Sequence, residues 1–243
     1  MFVDTFLDKT ITTNLREAEI AESAKHSPSG KLSASGLSSP VQWQVLKTLG
    51  VGVRHYDDYT LRKFKRGRDI EDWLMTHIPG IVETQKPVSY RNVVGLVDAV
   101  VDTADYDHKL GVIPHEVKSV TNAKYKRIEK EGRADEGHMF QGGLYALALG
   151  SPYYAIDYVA SDDLRVLSYV YPTKDIKPAI EAIIDRYDDC IKRQVIPVFE
   201  ARYKWQADKK YTQYEEWQGL TEEECAMALN YYYPGAWEKV TIK

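Results

Sequence analysis

The first clear helical pattern of apolar residues begins after Ser39, which precedes a proline at the first helical position. Trp43, Leu46 and Leu49 then recur every third residue and give the predicted helix one apolar side. Gly50 follows directly, and glycine is common just beyond the end of a helix. The pattern therefore predicts a short amphipathic helix between Ser39 and Gly50.

A longer helix is predicted over residues 60–77, and Pro79 and Gly80 close it. The first half of this helix is basic, and the second half carries acidic residues beside an aromatic one. Residues 1–35 predict no element, because they are polar and charged and include a Ser-Pro-Ser-Gly loop signal.

The pattern changes to that of strands after Pro87. Residues 93–101 are apolar on both faces, as in a central strand, and residues 112–120 predict a neighbouring strand beyond a turn. Residues 155–160 and 164–171 predict a hairpin, because a Ser-Asp-Asp turn separates them.

Helical patterns return between and after these strands. A charged stretch without apolar periodicity, residues 121–137, leads into a predicted helix over residues 138–149. From Pro178 onward apolar residues recur at helical spacing, and the tail from Tyr203 is aromatic and acidic. This order predicts a mixed α/β fold in layers, with a central mixed β-sheet flanked by helices and a helical C-terminal extension.

The composition is that of a globular protein. The chain has 243 residues, of which 44% are hydrophobic and 28% charged, so a sizeable core can form and disorder is not expected. We expect a single domain over residues 1–243, with a core at about 35–172 and the extension over about 173–243. No apolar run approaches the roughly 20 residues that span a bilayer, and the N-terminus does not resemble a signal peptide. We therefore expect a cytoplasmic protein that does not associate with membranes.

Cysteine content and net charge exclude several classes of function. Cys190 and Cys225 are the only two cysteines, which rules out a disulfide framework, a four-cysteine zinc site and a four-cysteine iron–sulfur cluster. The net charge of −4 is not that of a basic nucleic-acid coat, so any affinity for phosphate must come from local patches.

Charged residues inside the predicted strands are the candidate chemistry. Asp98 lies in an otherwise apolar strand, and Glu116 and Lys118 lie on the same face of the next strand, two residues apart. A buried charge needs a partner, and two carboxylates with a backbone carbonyl, which we place at Val117, suit Mg²⁺ or Mn²⁺. Such an ion activates water and stabilises the charge on a phosphodiester. A buried ion pair without a catalytic role is the alternative that these residues alone leave open.

Short motifs in a fixed order resemble those of one nuclease superfamily. They read Gly67-Arg68-Asp69-Ile70-Glu71, Gly95-Leu96-Val97-Asp98-Ala99, Glu116-Val117-Lys118 and Gln141-Gly142-Gly143-Leu144-Tyr145. The set resembles the PD-(D/E)XK nucleases, above all their RecB-like and lambda-exonuclease-like branches. The resemblance spans about residues 35–172 and implies a restriction-endonuclease-like core.

The resemblance also implies roles for the charged residues. Asp98 and Glu116 are expected to bind Mg²⁺ or Mn²⁺, and Lys118 is expected to serve the nucleophile. Glu71 is a weaker candidate for a third metal ligand, and whether it would bind directly or through water is left open. The segment from Leu32 to Gly50 also resembles the entry helix of CRISPR-associated RecB-like nucleases, which usually carry a cysteine before that helix and three near the C-terminus. This chain has Ser38 and Ser39 at the first place and only Cys225 near the end. A relative without an iron–sulfur cluster is therefore implied.

Gln141 and Tyr145 are four residues apart, on one face of their predicted helix. The resemblance implies that they hold the scissile phosphate or the active-site carboxylates, as uncharged donors can. Without it, a half-buried core tyrosine and a solvated glutamine are the alternative. Gly142 and Gly143 lie between these two residues, and each lowers the stability of a helix by roughly 1 kcal/mol relative to alanine. Their presence predicts that a backbone or a ligand packs closely there.

Two basic patches border the proposed site in the sequence. They lie within residues 61–70 and 121–133, and we expect both to contact phosphates of DNA. Their candidate contact residues are Arg62, Lys63, Lys65, Arg66, Lys124, Lys126 and Arg127. Ordinary solvated helix faces are the alternative.

The sequence thus predicts a metal-dependent DNA exonuclease that acts on single-stranded or duplex ends in DNA replication, recombination or repair. Residues 121–137 are expected to arch over a threaded strand. The alternatives are a structure-specific or restriction-type endonuclease of the same superfamily, or a DNA-binding subunit that has lost hydrolysis. Assembly into a homo-oligomer is left open.

Overall fold

The computed structural model describes residues 6–25, 31–52, 56–207 and 213–240, and it has a six-stranded mixed sheet with helices on both faces. The strands are β1 Leu32–Ser33, β2 Ile81–Tyr90, β3 Val93–Asp102, β4 Val112–Val120, β5 Tyr153–Ala160 and β6 Val166–Pro172. The α-helices are α1 Phe6–Lys25, α2 Val41–Thr48, α3 Asp58–Met75, α4 Asn122–Glu131, α5 Glu136–Leu149, α6 Thr173–Arg193 and α7 Glu222–Tyr232. The predicted fold class is confirmed.

The sheet is built around β3. Its order is β1-β3-β4-β5-β6, and β2 also pairs with β3. Because β2 pairs with β3 along almost its whole length, β1 and β4 share the opposite edge of β3. The β1–β3 and β4–β5 pairs are parallel, and the other pairs are antiparallel.

Alternate strand residues supply the two faces of the sheet. On one face, Ile70 and Leu74 of α3 pack against Val117 and Val159. On the opposite face α5 lies close to β5, and a Cβ added at Gly142 would lie 2.7 Å from the Cδ1 of Ile156. This close approach explains why α5 carries glycine in its interior.

Gly143 shows the same close packing on the other side of α5. A Cβ there would lie 2.4 Å from the Cγ2 of Ile176 in α6. The close packing that the sequence predicted at both glycines is present, although the nearest atoms are not those of a backbone. The neighbours are side chains of β5 and α6, so the glycines serve the packing of helix on sheet and of helix on helix.

Most predicted elements lie where the sequence placed them. β4 has the predicted bounds, and β3 continues one residue further, to Asp102. α2 begins one residue later than predicted, with Pro40 rather than Ser39 as its N-cap. α6 begins at Thr173, so Pro178 lies inside the helix and does not start it.

The prediction for residues 121–137 was wrong for most of that stretch. Residues Asn122–Glu131 form α4, which the Thr121 side chain caps by accepting a hydrogen bond from the backbone N–H of Lys124. Tyr125 and Ile128 are buried, and α4 lies near β5. These two buried residues are three positions apart, so they lie on the same side of the helix. Most of the other residues of α4 are charged, and the sequence therefore shows no clear apolar period. The predicted arch is therefore a helix packed against the protein.

Two further elements have no counterpart in the sequence prediction. Residues Phe6–Lys25 form α1, and Ile81–Tyr90 form β2. Neither shows the periodic apolar pattern on which the prediction relied, since Ile20 and Val82 are mostly exposed. None of the helices in the described ranges has the length and hydropathy that crossing a membrane requires.

Candidate active site

Asp98 lies where the sheet opens between β3 and β4. β3 pairs with β1 as far as Val94, and with β4 only from Ala99 onward. In the interval, the Oδ2 atom of Asp98 accepts a hydrogen bond of 2.8 Å from the backbone N–H of Val117. The side chain of Asp98 thus takes the place of a backbone acceptor and ties the two diverging strands together.

Glu71 reaches the same edge of β4 from helix α3. Its Oε1 atom accepts a hydrogen bond of 3.4 Å from the backbone N–H of Ser119. Residues 117 and 119 are two apart, so their N–H groups point to the same edge of the strand. The carboxylates of Asp98 and Glu71 therefore line the opened edge of β4. Burial raises the pKa of Glu71, and the Lys118 charge opposes that rise.

Glu116 and Lys118 form an ion pair on the face of β4 opposite Val117, as their spacing predicted. Glu116 is completely buried, whereas the Lys118 side chain is 27% exposed. Burial raises the pKa of Glu116 to about 8 against the attraction of Lys118. For Lys118, burial disfavours the charge, but the carboxylates around it hold its pKa above the usual value.

Asp98 contributes to the same electrostatic cluster. Burial raises the pKa of Asp98, while Lys118 and the Val117 N–H act in the opposite direction. The negative charge of Asp98 adds to burial in raising the pKa of Glu116. Two carboxylates that share one buried site cannot both be charged without additional positive charge. Lys118 supplies one such positive charge, and a bound cation would supply a second.

Tyr145 closes the cluster from helix α5. Its hydroxyl accepts a hydrogen bond of 2.8 Å from the Gln141 amide, so the predicted i, i+4 pairing on one face is present. Burial, and next the Glu116 charge, raise the pKa of Tyr145, so its hydroxyl keeps its proton. Gly95 makes room for this ring, because a Cβ there would lie 2.6 Å from the Tyr145 Cε1.

The donor set fits a hard divalent cation. Asp98 and Glu116 offer only oxygen atoms, and both Glu116 oxygens are buried without a hydrogen bond of ordinary geometry. The carbonyl of a strand residue points to the same edge as its N–H, so the Val117 carbonyl also faces the opening. In the described parts of the chain, no three carboxylate, histidine or cysteine groups converge closely enough to hold a metal ion. The Asp98–Glu116 pair is therefore the centre of the candidate site, and Glu71 lies beside it.

The first basic patch is partly covered by helix α1. Arg62 donates a hydrogen bond of 2.8 Å to the Asp8 carboxylate and another of 2.6 Å to the Thr12 hydroxyl. Arg68 of the same helix pairs with Glu19 at 3.5 Å. Acidic groups of α1 thus occupy positions where DNA phosphates were expected.

The rest of this patch is more open. Lys65 pairs with Asp69 one turn further along α3, and the Lys63 ammonium lies 4.3 Å from the centre of the Tyr59 ring. Arg66 is exposed and makes no ion pair with any residue that the structure describes.

The second basic patch is organised by one carboxylate. Lys124 and Arg127 both pair with Asp135, each at 2.7 Å, and Arg127 also pairs with Glu131. Lys126 is exposed and has no ion pair within the described ranges. The structure places Lys124 and Arg127 together on α4, but their charges are largely balanced there.

Sequence reasoning missed one residue beside the site. Gln85 of β2 lies between Thr84 and Lys86, which pair with Ala99 and Val97, so its position in the sheet is opposite Asp98. The signal for it in the sequence is weak, because the apolar residues of β2 do not alternate and Pro87 interrupts the pattern.

Comparison with known proteins gives matches among solved structures only. No protein-family model and no curated protein matches the chain. The crystal structure of LHK-Exo in complex with dAMP is 13% identical, with 69% of this chain and 92% of that chain covered and a TM-score of 0.50. LHK-Exo is an alkaline exonuclease from Laribacter hongkongensis, and a second structure of it gives 14% identity, coverage of 68% and 93%, and a TM-score of 0.46.

A further solved structure covers more of the chain. That of the protein SSO0001 is 16% identical, with 85% of this chain and 95% of that chain covered and a TM-score of 0.50. At such identities the likeness establishes a shared fold and says nothing about individual residues.

Proposed function

Because the chain has the fold of the PD-(D/E)XK nucleases, we propose that it is a metal-dependent DNA exonuclease. The observation that supports this most is the group formed by Asp98, Glu116 and Lys118 where β3 and β4 separate. Paired carboxylates beside a lysine, at an opening in a sheet, combine cation binding with compensation of phosphate charge.

Asp98, Glu116 and the Val117 carbonyl are the groups that would hold Mg²⁺ or Mn²⁺. When bound, the ion supplies positive charge for a phosphodiester and activation of water. The chain's own contribution is to keep the two carboxylates together in a buried place. It does so through the Val117 N–H, the Lys118 ammonium and the Tyr145 hydroxyl.

Lys118 is the group best placed to act on substrate. Its side chain is partly exposed while its Glu116 partner is fully buried, so the ammonium forms the border between the buried carboxylates and solvent. A cation fixed there orients an attacking water by hydrogen bonding and offsets the negative charge that grows on the phosphate. Neither role requires Lys118 to give up its proton.

Gln141 and Tyr145 support Glu116 in this account. Tyr145 is only 2% exposed, so its ring has little access to a nucleic acid. Its hydroxyl lies near Glu116 and receives the hydrogen bond from Gln141. Of the two roles that the resemblance implied, holding a carboxylate is therefore the one we propose for Tyr145, and Gln141 orients it.

DNA is the proposed substrate, and Lys63, Arg66 and Lys126 are the exposed basic residues that we propose as phosphate contacts. Action on DNA ends is supported by the shared fold with LHK-Exo, an alkaline exonuclease. An endonuclease of the same superfamily is the second candidate, because α4 packs against the protein where an arch over a threaded strand was expected.

The test compares linear single-stranded DNA with a covalently closed circle of the same sequence in the presence of Mn²⁺. We expect degradation of the linear strand, none of the circle, and none of either in EDTA. Degradation of circles at the same rate would replace the exonuclease with the endonuclease. Undiminished cleavage in EDTA would contradict the metal-dependent mechanism itself.

A further inference from the structure

The two strands that end the sheet differ in how their outer edges are protected. Among the described residues, β2 pairs only with β3 and β6 pairs only with β5, so each has one free edge. β2 carries Glu83, Lys86 and Pro87, and its pairing with β3 shifts register after Ile81. Charges, proline and bulges are the features that keep an edge strand from pairing with another chain. The edge of β2 is therefore protected.

The edge of β6 has none of these features over most of its length. Residues 166–171 are Val, Leu, Ser, Tyr, Val and Tyr, and all of these except serine favour strands. Val166 is 46% exposed and Val170 is 37% exposed, on the face of the sheet that α3 covers over β4 and β5. An uncharged apolar edge of this kind is open to pairing with a further strand.

The other face of β6 is fixed to the protein. The Tyr169 hydroxyl donates a hydrogen bond of 3.1 Å to the Ile128 carbonyl of α4. The Tyr171 hydroxyl accepts one of 2.7 Å from the backbone N–H of Ala134. The strand is thus held in its extended form before any partner arrives, so pairing costs little additional ordering.

β6 is complementary to itself in the antiparallel direction. When two copies pair about a twofold axis at Ser168, Val166 of each copy lies directly opposite Val170 of the other. Two valine pairs then form on the exposed face. Such cross-strand pairs of β-branched residues stabilise a sheet.

The charges at the two ends of β6 fit the same register. Asp162 precedes the strand and Lys174 follows it, and both are exposed without an ion pair to any described residue. The seven residues of β6 span roughly 23 Å, so these two side chains cannot meet within one chain. In the antiparallel pair, Asp162 of each copy faces the end of the strand where Lys174 of the other copy lies.

We propose that β6 pairs antiparallel with β6 of a second copy of this chain and extends the sheet across a twofold dimer. A strand pair of this length is at the small end of specific interfaces, so the dimer forms reversibly. β5 separates β6 from β4, so the candidate active site lies away from the interface. The inference does not depend on the proposed nuclease function.

Sedimentation analysis of the full chain over a range of concentrations tests the dimer. We expect the wild type to associate reversibly into dimers. Val166→Lys combined with Val170→Lys places four lysines of two copies side by side, and it should weaken association about tenfold or more. Both positions are exposed, so the melting temperature should change little. Val82→Lys, at an exposed position of β2, is the matched control and should dimerise like the wild type.

Exchange of the end charges tests the direction of pairing. Asp162→Lys and Lys174→Asp should each weaken the dimer several-fold, because each places like charges together at both ends of the strand pair. The double exchange restores opposite charges and should restore the dimer.

A single cysteine tests the register. Opposite residues of antiparallel strands have Cα atoms about 4.5–5.5 Å apart, within the range of a disulfide. Ser168→Cys should therefore form a disulfide-linked dimer on mild oxidation, since Cys190 and Cys225 are buried. Val170→Cys lies more than about 13 Å from its own counterpart and should not.

The outcomes are independent of nuclease activity. Dimers that the lysine pair disrupts and the double charge exchange restores would support the proposal, and cleavage by the lysine variant should match that of the wild type. A dimer that the lysine pair leaves intact would overturn it. A wild type that stays monomeric at every concentration would also overturn it, and would favour a strand of a different protein at this edge.

Discussion

The Asp98 carboxylate accepts a hydrogen bond from the backbone N–H of Val117, across 2.8 Å, at the point where β3 and β4 cease to pair. An acidic side chain in the middle of a strand thus replaces a backbone carbonyl as the hydrogen-bond acceptor. At the same opening, Glu71 of α3 accepts a hydrogen bond from the backbone N–H of Ser119 in β4. Glu116 and Lys118 form their ion pair on the adjacent face of β4. The fold therefore produces the cluster by separating two strands and not by adding a loop.

Replacing Lys118 tests whether its charge is needed for cleavage. Lys118→Met leaves the buried Glu116 without its ion-pair partner, so we expect cleavage to fall at least 100-fold and the pKa of Glu116 to rise further. Cleavage assays under single-turnover conditions measure the first effect. Lys174→Met, which removes an exposed lysine of α6, is the control and should change nothing. A Lys118→Met enzyme within a few-fold of the wild type would remove Lys118 from the site.

Replacing Glu71 tests whether it belongs to the metal site. Its hydrogen bond to Ser119 and its half-buried position beside Asp98 lead us to expect that Glu71→Gln weakens Mn²⁺ binding several-fold in calorimetry. Asp72→Asn, at the exposed neighbouring position, should bind Mn²⁺ like the wild type. Equal affinities for all three proteins, together with equal rates, would show that Glu71 is structural.

Helix α1 provides a test of the first basic patch. The Asp8–Arg62 pair is at the surface, where such pairs contribute up to about 1 kcal/mol. If Arg62 contacts DNA phosphate, as the sequence predicted, this pair competes with that contact. Asp8→Asn should therefore tighten binding of a short single strand by up to about fivefold at low salt, as measured by fluorescence anisotropy. Glu17→Gln removes an exposed acid of α1 that forms no ion pair in the described ranges, and it should bind DNA less tightly than Asp8→Asn. Binding by Asp8→Asn that is no tighter than by Glu17→Gln would argue against Arg62 as a phosphate contact.

His138 gives the protein a specific response to acid. Burial, with the nearby charges of Lys124 and Lys118, lowers the pKa of His138 to about 3, and its Nδ1 hydrogen-bonds to the Tyr158 hydroxyl at 2.8 Å. The folded-state pKa of His138 lies below the unfolded value of about 6.5. The stability that the neutral His138 contributes to the folded protein is therefore fully present above about pH 6.5 and is lost as the pH falls toward about 3. Between about pH 7 and pH 5 the wild type should lose about 2 kcal/mol more unfolding free energy than His138→Gln. Urea unfolding at both pH values measures this, and parallel losses would contradict it.

The sequence predicted the central part of the site because strong apolar patterns surround it. β4 is apolar and bounded by turns, so its limits and the shared face of Glu116 and Lys118 could be read directly. The apolar run of β3 likewise made Asp98 conspicuous. What could not be read is the separation of β3 from β4, since it depends on which strands pair and not on any local pattern.

The elements that escaped prediction share a physical cause. Ile11 and Ile20 of α1 are exposed, and ion pairs such as Arg62 with Asp8 hold this helix to α3, so its sequence did not show the apolar side from which a helix is predicted. β2 lies at an edge of the sheet, which tolerates Pro87 and exposed residues. The backbone of Gln85 is in the left-handed region, and a glutamine in the sequence does not signal that conformation as glycine or asparagine would.

We propose that Asp98 and Glu116 would hold the divalent cation on which cleavage of DNA depends. The most direct measurement is Mn²⁺-dependent cleavage of a linear single strand by the wild type and by Asp98→Asn, with DNA binding measured in parallel. Asparagine still offers an oxygen to the Val117 N–H, so the fold should remain intact, as Asp105→Asn in an exposed turn also should. We expect Asp98→Asn to bind DNA normally and to cleave at least 100-fold more slowly, and Asp105→Asn to match the wild type. Cleavage by folded Asp98→Asn at the wild-type rate would contradict the account.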